Sequence, residues 1–258
     1  EIYVWDLDKT YLDTSWQTPS ELWRTIFEKS FQKRNVPGTS TLVSCVKQHW
    51  QKVHEEKEFP LYFITASPPQ MEGNISEKLE IDGILPKGMF FKDNLKNLRP
   101  GRWRRLSQQV GYKVQALMQL RAKFEGEVTQ VLWGDDSETD ATIYSIYSDI
   151  CARRWPEAEL IKLLKHFSVT KLQIDTILDL QDQCLEHDPV EKVYINLAVD
   201  TDPEYYLKFG RRILPTYNSF QTGLDLFQDS RIQSEEVIKV AQDLMMNYGF
   251  SADELQSS

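Results

Sequence analysis

Cysteine is scarce and badly spaced for structural use. The 258 residues hold three, Cys45, Cys151 and Cys184. An odd number set far apart excludes a disulfide framework and a cysteine-spaced metal site, so reduced core thiols in a reducing compartment are expected. Long apolar runs are missing: none approaches the roughly 20 residues that span a bilayer. No signal-peptide pattern is present, although Glu1 stands directly before an apolar strand and leaves room for a targeting segment ahead of it. Positive charge is also short. At a net charge of −9 the chain lacks the basic footprint of a general nucleic-acid binder. There are no internal repeats and no low-complexity stretches. What remains, 41% hydrophobic and 27% charged residues, is the composition of a soluble globular protein, cytoplasmic or peripheral to a membrane.

The most informative stretch is the first, Ile2-Tyr3-Val4-Trp5-Asp6-Leu7-Asp8-Lys9-Thr10. Apolar, β-prone residues run into two acids separated by one residue, a buried strand presenting carboxylates at its C-terminal tip. Ligands of open α/β sheets bind at that edge. Acids this close repel and call for a cation or a shared proton. An oxygen-only donor set suits Mg2+.

The chain then alternates between helical and strand patterns. Helices are expected over 20–34, with Ser20 as cap, over 39–56, from Pro69 through Lys78, over 110–124 and over 141–148; strands are expected over 59–64, 89–91 and 129–133. Helical pattern fills 158–184, the run 193–199 is a strong strand, and helices follow over 204–209, 220–227 and 234–248, with a frayed tail from Ser251. Strands alternating with helices predict a mostly parallel sheet with helices on both faces. No linker interrupts the chain. It reads as one domain over 1–258, with a motif-bearing core over 1–150, a helical segment over 156–187, and a late strand and helices over 190–250 joining the same sheet.

Three predicted strands end in polar residues: Asp6 with Asp8, Thr65, and Asp135 with its neighbours; Lys113 sits on the helix before the last of them. In a parallel sheet these ends converge. A carboxylate nucleophile, a hydroxyl, a lysine and metal-binding acids are the inventory of phosphoryl transfer, which needs positioning and charge neutralisation.

The order and placement of these segments resemble the motifs of the haloacid dehalogenase (HAD) phosphohydrolase superfamily, whose fold is a Rossmannoid α/β sheet flanked by helices. Thr65-Ala66-Ser67-Pro68, Tyr112-Lys113 and Gly134-Asp135-Asp136-Ser137-Glu138-Thr139-Asp140 further resemble the conserved domain of the fungal actin-patch phosphatidate phosphatases and its bacterial relatives. The resemblance implies that Asp6 is a nucleophile forming an aspartyl-phosphate and Asp8 a general acid/base. It makes Thr65 the hydroxyl on the phosphoryl group and Lys113 the balancing cation, with Thr10, Ala66 and Ser67 beside the substrate. Mg2+ would be held by Asp6, the Asp8 carbonyl and Asp135. The usual fourth motif reads Gly-Asp-Ser-Gly-Glu-x-Asp; here Asp136 and Ser137 replace its Ser-Gly pair, so either Asp136 or Asp140 is the further metal acid.

Neither segment that could hold a cap is long enough for a large one. An open site suits a phosphate carried on something large, such as a lipid surface or a macromolecule. Lys92, Lys96, Arg99, Arg102, Arg104 and Arg105 around Trp103 read as a basic loop that holds an anionic substrate or its membrane. The readings that compete with a phosphatidate-type phosphatase are a phosphoprotein phosphatase of the same fold and a HAD-fold binding or scaffold protein without turnover. Oligomeric state is not legible.

Overall fold

A computed structural model describes residues 1–13, 35–55, 57–92, 102–136, 139–198 and 200–257, with backbone alone for 102–108 and 257. The expected helix at 20–34 and most of the basic segment before Arg102 lie outside the described residues.

Six parallel strands form one sheet. They are β1 (Ile2–Asp6), β2 (Leu61–Thr65), β3 (Gly88–Phe91), β4 (Gln130–Asp135), β5 (Val190–Asn196) and β6 (Ile213–Thr216). Their order is β3-β2-β1-β4-β5-β6. The chain winds outward from β1 to β3, returns to β4 beside β1, and winds outward again, so the connections reverse direction between β1 and β4. The crevice at such a switch point is where open α/β sheets bind ligands.

Every residue of β1 and β4 is buried, as both faces of the central strands are covered. On one face Ile2, Val4, Leu132, Val193 and Ile195 pack under four helices: α3 (Arg102–Arg121), α4 (Asp140–Cys151), α5 (Glu157–His166) and α6 (Lys171–Gln183). On the other, Tyr3, Trp5, Val131, Trp133 and Tyr194 meet α1 (Thr39–Val53), α2 (Glu72–Ile81), α7 (Ser219–Gln228) and α8 (Ser234–Tyr248). Trp5 and Trp133 are register partners, and their rings stack at 3.8 Å and 7°. Truncating either to Ala opens a large cavity, at about 3–5 kcal/mol.

Three expectations need correction. The residues Arg102, Arg104 and Arg105 lie in the opening turns of α3, not in a loop. Arg, Leu and Gln in this stretch favour helix. The tail is not frayed throughout: α9 (Ala252–Ser257) begins at a capping box in which Ser251 and Glu254 exchange backbone-to-side-chain bonds of 2.7 and 3.2 Å. Leu255 anchors it in the core. Strand β6 was not expected, because Pro215 cannot donate to a ladder; the strand lies at the sheet edge, where that is tolerated.

All three cysteines are free and buried. Burial pushes the Cys45 thiol up to about 11 and the Cys151 thiol up to about 12, and raises that of Cys184. The thiolate is the reactive form, so the folded protein should resist iodoacetamide at neutral pH, whereas all three cysteines should label in denaturant. Rapid native labelling of Cys151, read by peptide mass, would contradict this packing.

Candidate active site

The site assembles at the C-terminal edge of β1, β2 and β4. Asp6 is the last residue of β1, in register with Ile64 of β2, and is buried. After it the chain turns sharply. Leu7 N–H donates to Ile64 O at 3.0 Å, and Leu12 and Tyr11 N–H return to Leu7 O at 2.8 and 3.1 Å. This turn carries Lys9 at φ 60°, a left-handed conformation uncommon for a residue with a side chain. It brings the Thr10 hydroxyl back to Asp6 Oδ2 at 3.4 Å. Asn196, at the end of β5, steadies the turn by donating to Lys9 O at 3.3 Å.

Thr65 ends β2 and is wholly buried. Its hydroxyl donates to Asp8 Oδ2 at 2.8 Å and accepts from Ser67 N–H at 3.0 Å. Ser67 is buried and Ala66 half-buried in the same turn. Asp8 therefore sits over β2 rather than beside Asp6 on an extended strand.

Lys113 reaches the site from α3. Its ammonium lies 2.9 Å from Asp6 Oδ1 and 2.7 Å from Asp140 Oδ1, with 1% of the lysine side chain exposed. Desolvating such a group is tolerated only with opposite charge in contact, and removing one partner of a buried pair costs about 3–5 kcal/mol. The neighbouring Tyr112 hydroxyl donates to Phe90 O at 2.6 Å, locking α3 to β3. Burial pushes that phenol well above its usual range despite the nearby lysine.

Asp140 opens α4, where the helix dipole favours a carboxylate. Its Oδ2 accepts from Asp135 N–H at 3.1 Å. Gly134 makes this approach possible: a Cβ there would fall 2.5 Å from Asp140 Oδ2. The Tyr144 hydroxyl, held protonated by burial and then by Asp140, donates to Trp133 O at 2.7 Å and fixes α4 over β4.

Asp6, Asp135 and Asp140 are all buried, and each offers a carboxylate oxygen within 4.8 Å of the others. Three carboxylates so close repel strongly, and an all-oxygen set of this kind fits a hard divalent cation such as Mg2+. Asp136 is turned elsewhere. Its Oδ2 accepts from Ala198 N–H at 2.9 Å and from the Thr201 hydroxyl, tying the end of β4 to the loop after β5. Of the two acids left open by the sequence, Asp140 joins the cluster and Asp136 braces a loop. The roles of Asn196, Thr201 and Tyr144 were not foreseen. The position of Asn196 at a strand's C-terminal end is the one signal that could have marked it.

Buried carboxylates, a buried lysine and a strand-end hydroxyl gathered at one edge of a parallel sheet define an α/β phosphatase-type site. Residues 2–161 match the family model "Phosphatidate phosphatase APP1, catalytic domain". The chain belongs to that family, and the match spans Asp6, Asp8, Thr65, Lys113, Asp135 and Asp140, while Asn196, Ala198 and Thr201 lie beyond it. No curated protein matches the chain.

Because Asp140 fills the space beside Gly134, Gly134→Ala should push the Asp140 carboxylate off both Asp135 N–H and Lys113. We expect a loss of about 1–3 kcal/mol in stability and a loss of any Mg2+-dependent rise in melting temperature. Wild-type melting with a full Mg2+ response would show that the close approach is dispensable.

Proposed function

We propose that the protein is a Mg2+-dependent phosphomonoesterase that works through an aspartyl-phosphate on Asp6, with phosphatidate or a similarly large phosphomonoester as substrate. The observation that carries this reading is the Lys113 ammonium 2.9 Å from Asp6 in a buried site. The contact keeps Asp6 ionised, as a carboxylate nucleophile must be.

Asp6, Asp135 and Asp140, with the Asp8 carbonyl, would hold the cation. When bound, it supplies charge neutralisation for the phosphate oxygens. The chain's own residues do the rest. An Asp6 oxygen attacks phosphorus in line with the ester oxygen, and the P–O bond to the alcohol breaks as Asp8 gives that oxygen a proton. Asp8, now a carboxylate, takes a proton from water as the water attacks the phosphorus of the acyl phosphate, releasing inorganic phosphate and restoring Asp6. Lys113 stays against the reacting oxygens. Thr65 turns its hydroxyl from Asp8 to the phosphoryl group as substrate enters.

The family description supports a phosphatidate-type substrate. Among the described residues no helix is long and apolar enough to cross a membrane, so the enzyme would meet a lipid phosphate from the bilayer surface. A scaffold role without turnover is disfavoured, because Asp6 and Asp8 are both retained and both engaged.

Asp6→Asn keeps the shape and removes the nucleophile. Phosphate release should fall by roughly 10^3-fold or more, and Asp8→Asn should cost about 10^2–10^4-fold. Chelation of Mg2+ should abolish release from phosphatidate vesicles. Retained turnover in Asp6→Asn would sink the mechanism. Turnover of phosphopeptides with none on phosphatidate would move the substrate class to phosphoproteins.

A further inference from the structure

Across the sheet from Lys113 lies a second feature. Beside the switch point between β1 and β4 is a small crevice of about 20 Å³, room for about one or two water-sized atoms. Trp5 and Trp133 line it, with Thr10, Asn196, Thr216 and Thr222 around them. Trp5 and Trp133 are 0% and 4% exposed, yet neither indole N–H has a hydrogen-bond partner. A buried donor left unpaired carries a desolvation penalty that an acceptor removes. Such exceptions in a native interior call for an explanation.

Two more features bring donors to the same place. Helix α1 begins at Thr39 and α7 at Ser219, and both residues line the crevice. Helix N-termini favour electron-rich atoms. The Thr222 hydroxyl donates to Thr216 Oγ1 at 3.2 Å, and both side chains line the crevice. Among the described residues no carboxylate lines the crevice, so an acceptor atom placed beside the indole donors meets no buried negative charge there. Thr10 belongs to both places: it lines this wall and reaches Asp6 Oδ2 at 3.4 Å.

We propose that this crevice is a leaving-group subsite that accepts one oxygen of the alcohol portion of the substrate, a carbonyl or hydroxyl oxygen, while the phosphoryl group sits on Asp6. The assignment rests on the phosphatase reading of Asp6. It makes the stacked tryptophans a specificity device as well as core. A phosphomonoester bearing an oxygen function beyond the scissile ester gains the indole and hydroxyl donors; a plain alkyl phosphate gains nothing there. The crevice is too small for a second phosphate.

The test compares binding of dioctanoyl phosphatidate with that of n-octyl phosphate, measured calorimetrically with Mg2+ on the Asp6→Asn protein so that no turnover is needed. The same pair is measured after adding Trp133→Phe or Thr222→Val. The indole N–H has no protein partner, so Trp133→Phe breaks no internal hydrogen bond. Thr222→Val is close to isosteric and serves if the first variant melts early. The parent should prefer the acylated ligand, and each change should cut that preference by roughly three- to tenfold with n-octyl phosphate affinity unchanged. No preference in the parent, or an unaltered preference in both variants, would overturn the subsite and leave a crevice that holds solvent only. Turnover of the two compounds by the wild-type protein is scored separately. If neither is hydrolysed while the binding preference responds as stated, the catalytic reading falls, the leaving-group assignment falls with it, and the crevice is left as a ligand-oxygen site alone.

Discussion

One buried ammonium holds the site together. Lys113 stands between Asp6 and Asp140, at 2.9 and 2.7 Å, with all three side chains almost fully removed from water. These residues come from β1, α3 and α4, so the contact fixes the placement of two helices over the central strand. Such a pair is a weak source of net stability, since desolvation offsets most of the attraction. Its value is geometric and electrostatic. It keeps Asp6 charged at the tip of the strand and orients Asp140, whose other oxygen accepts the Asp135 amide.

The fold supplies the conditions for that contact. Parallel strands deliver Asp6, Thr65 and Asp135 to one edge, and the reversal between β1 and β4 opens a crevice there. The glycine at 134 lets α4 come close enough for Asp140 to join. On the far face, Trp5 and Trp133 stack in register and keep β1 and β4 in fixed relation. Core and site are thus not separate: the same two strands build the aromatic layer and end in the acids.

Much of this was legible beforehand because it rests on local rules. An apolar run ending in Asp6, or in Thr65, announces a buried strand and its functional edge. The helices over 39–53 and 234–248 follow from apolar spacing alone. Long-range features were not legible. The choice of Asp140 over Asp136 depends on a loop some sixty residues later, where Ala198 and Thr201 claim Asp136. The edge strand around Pro215 had no alternation to reveal it, and the start of α3 at Arg102 was hidden by a run of charge that looked like loop. The pairing of Trp5 with Trp133 needs strand order and register, which no single segment contains. The capping box at Ser251 and Glu254 is a local signal, three residues apart, legible in the sequence itself.

The central claim is that Asp6 itself carries the phosphoryl group. Borohydride quenching of the protein during turnover of a phosphomonoester, followed by peptide mass spectrometry, tests it most directly, since hydride reduces an acyl phosphate to an alcohol and leaves a free carboxylate untouched. The account predicts reduction at Asp6, dependent on substrate, with Asp8, Asp135 and Asp140 unmodified. Sustained phosphate release with no reduction at Asp6, under quench conditions that capture a control acyl phosphate, would contradict it.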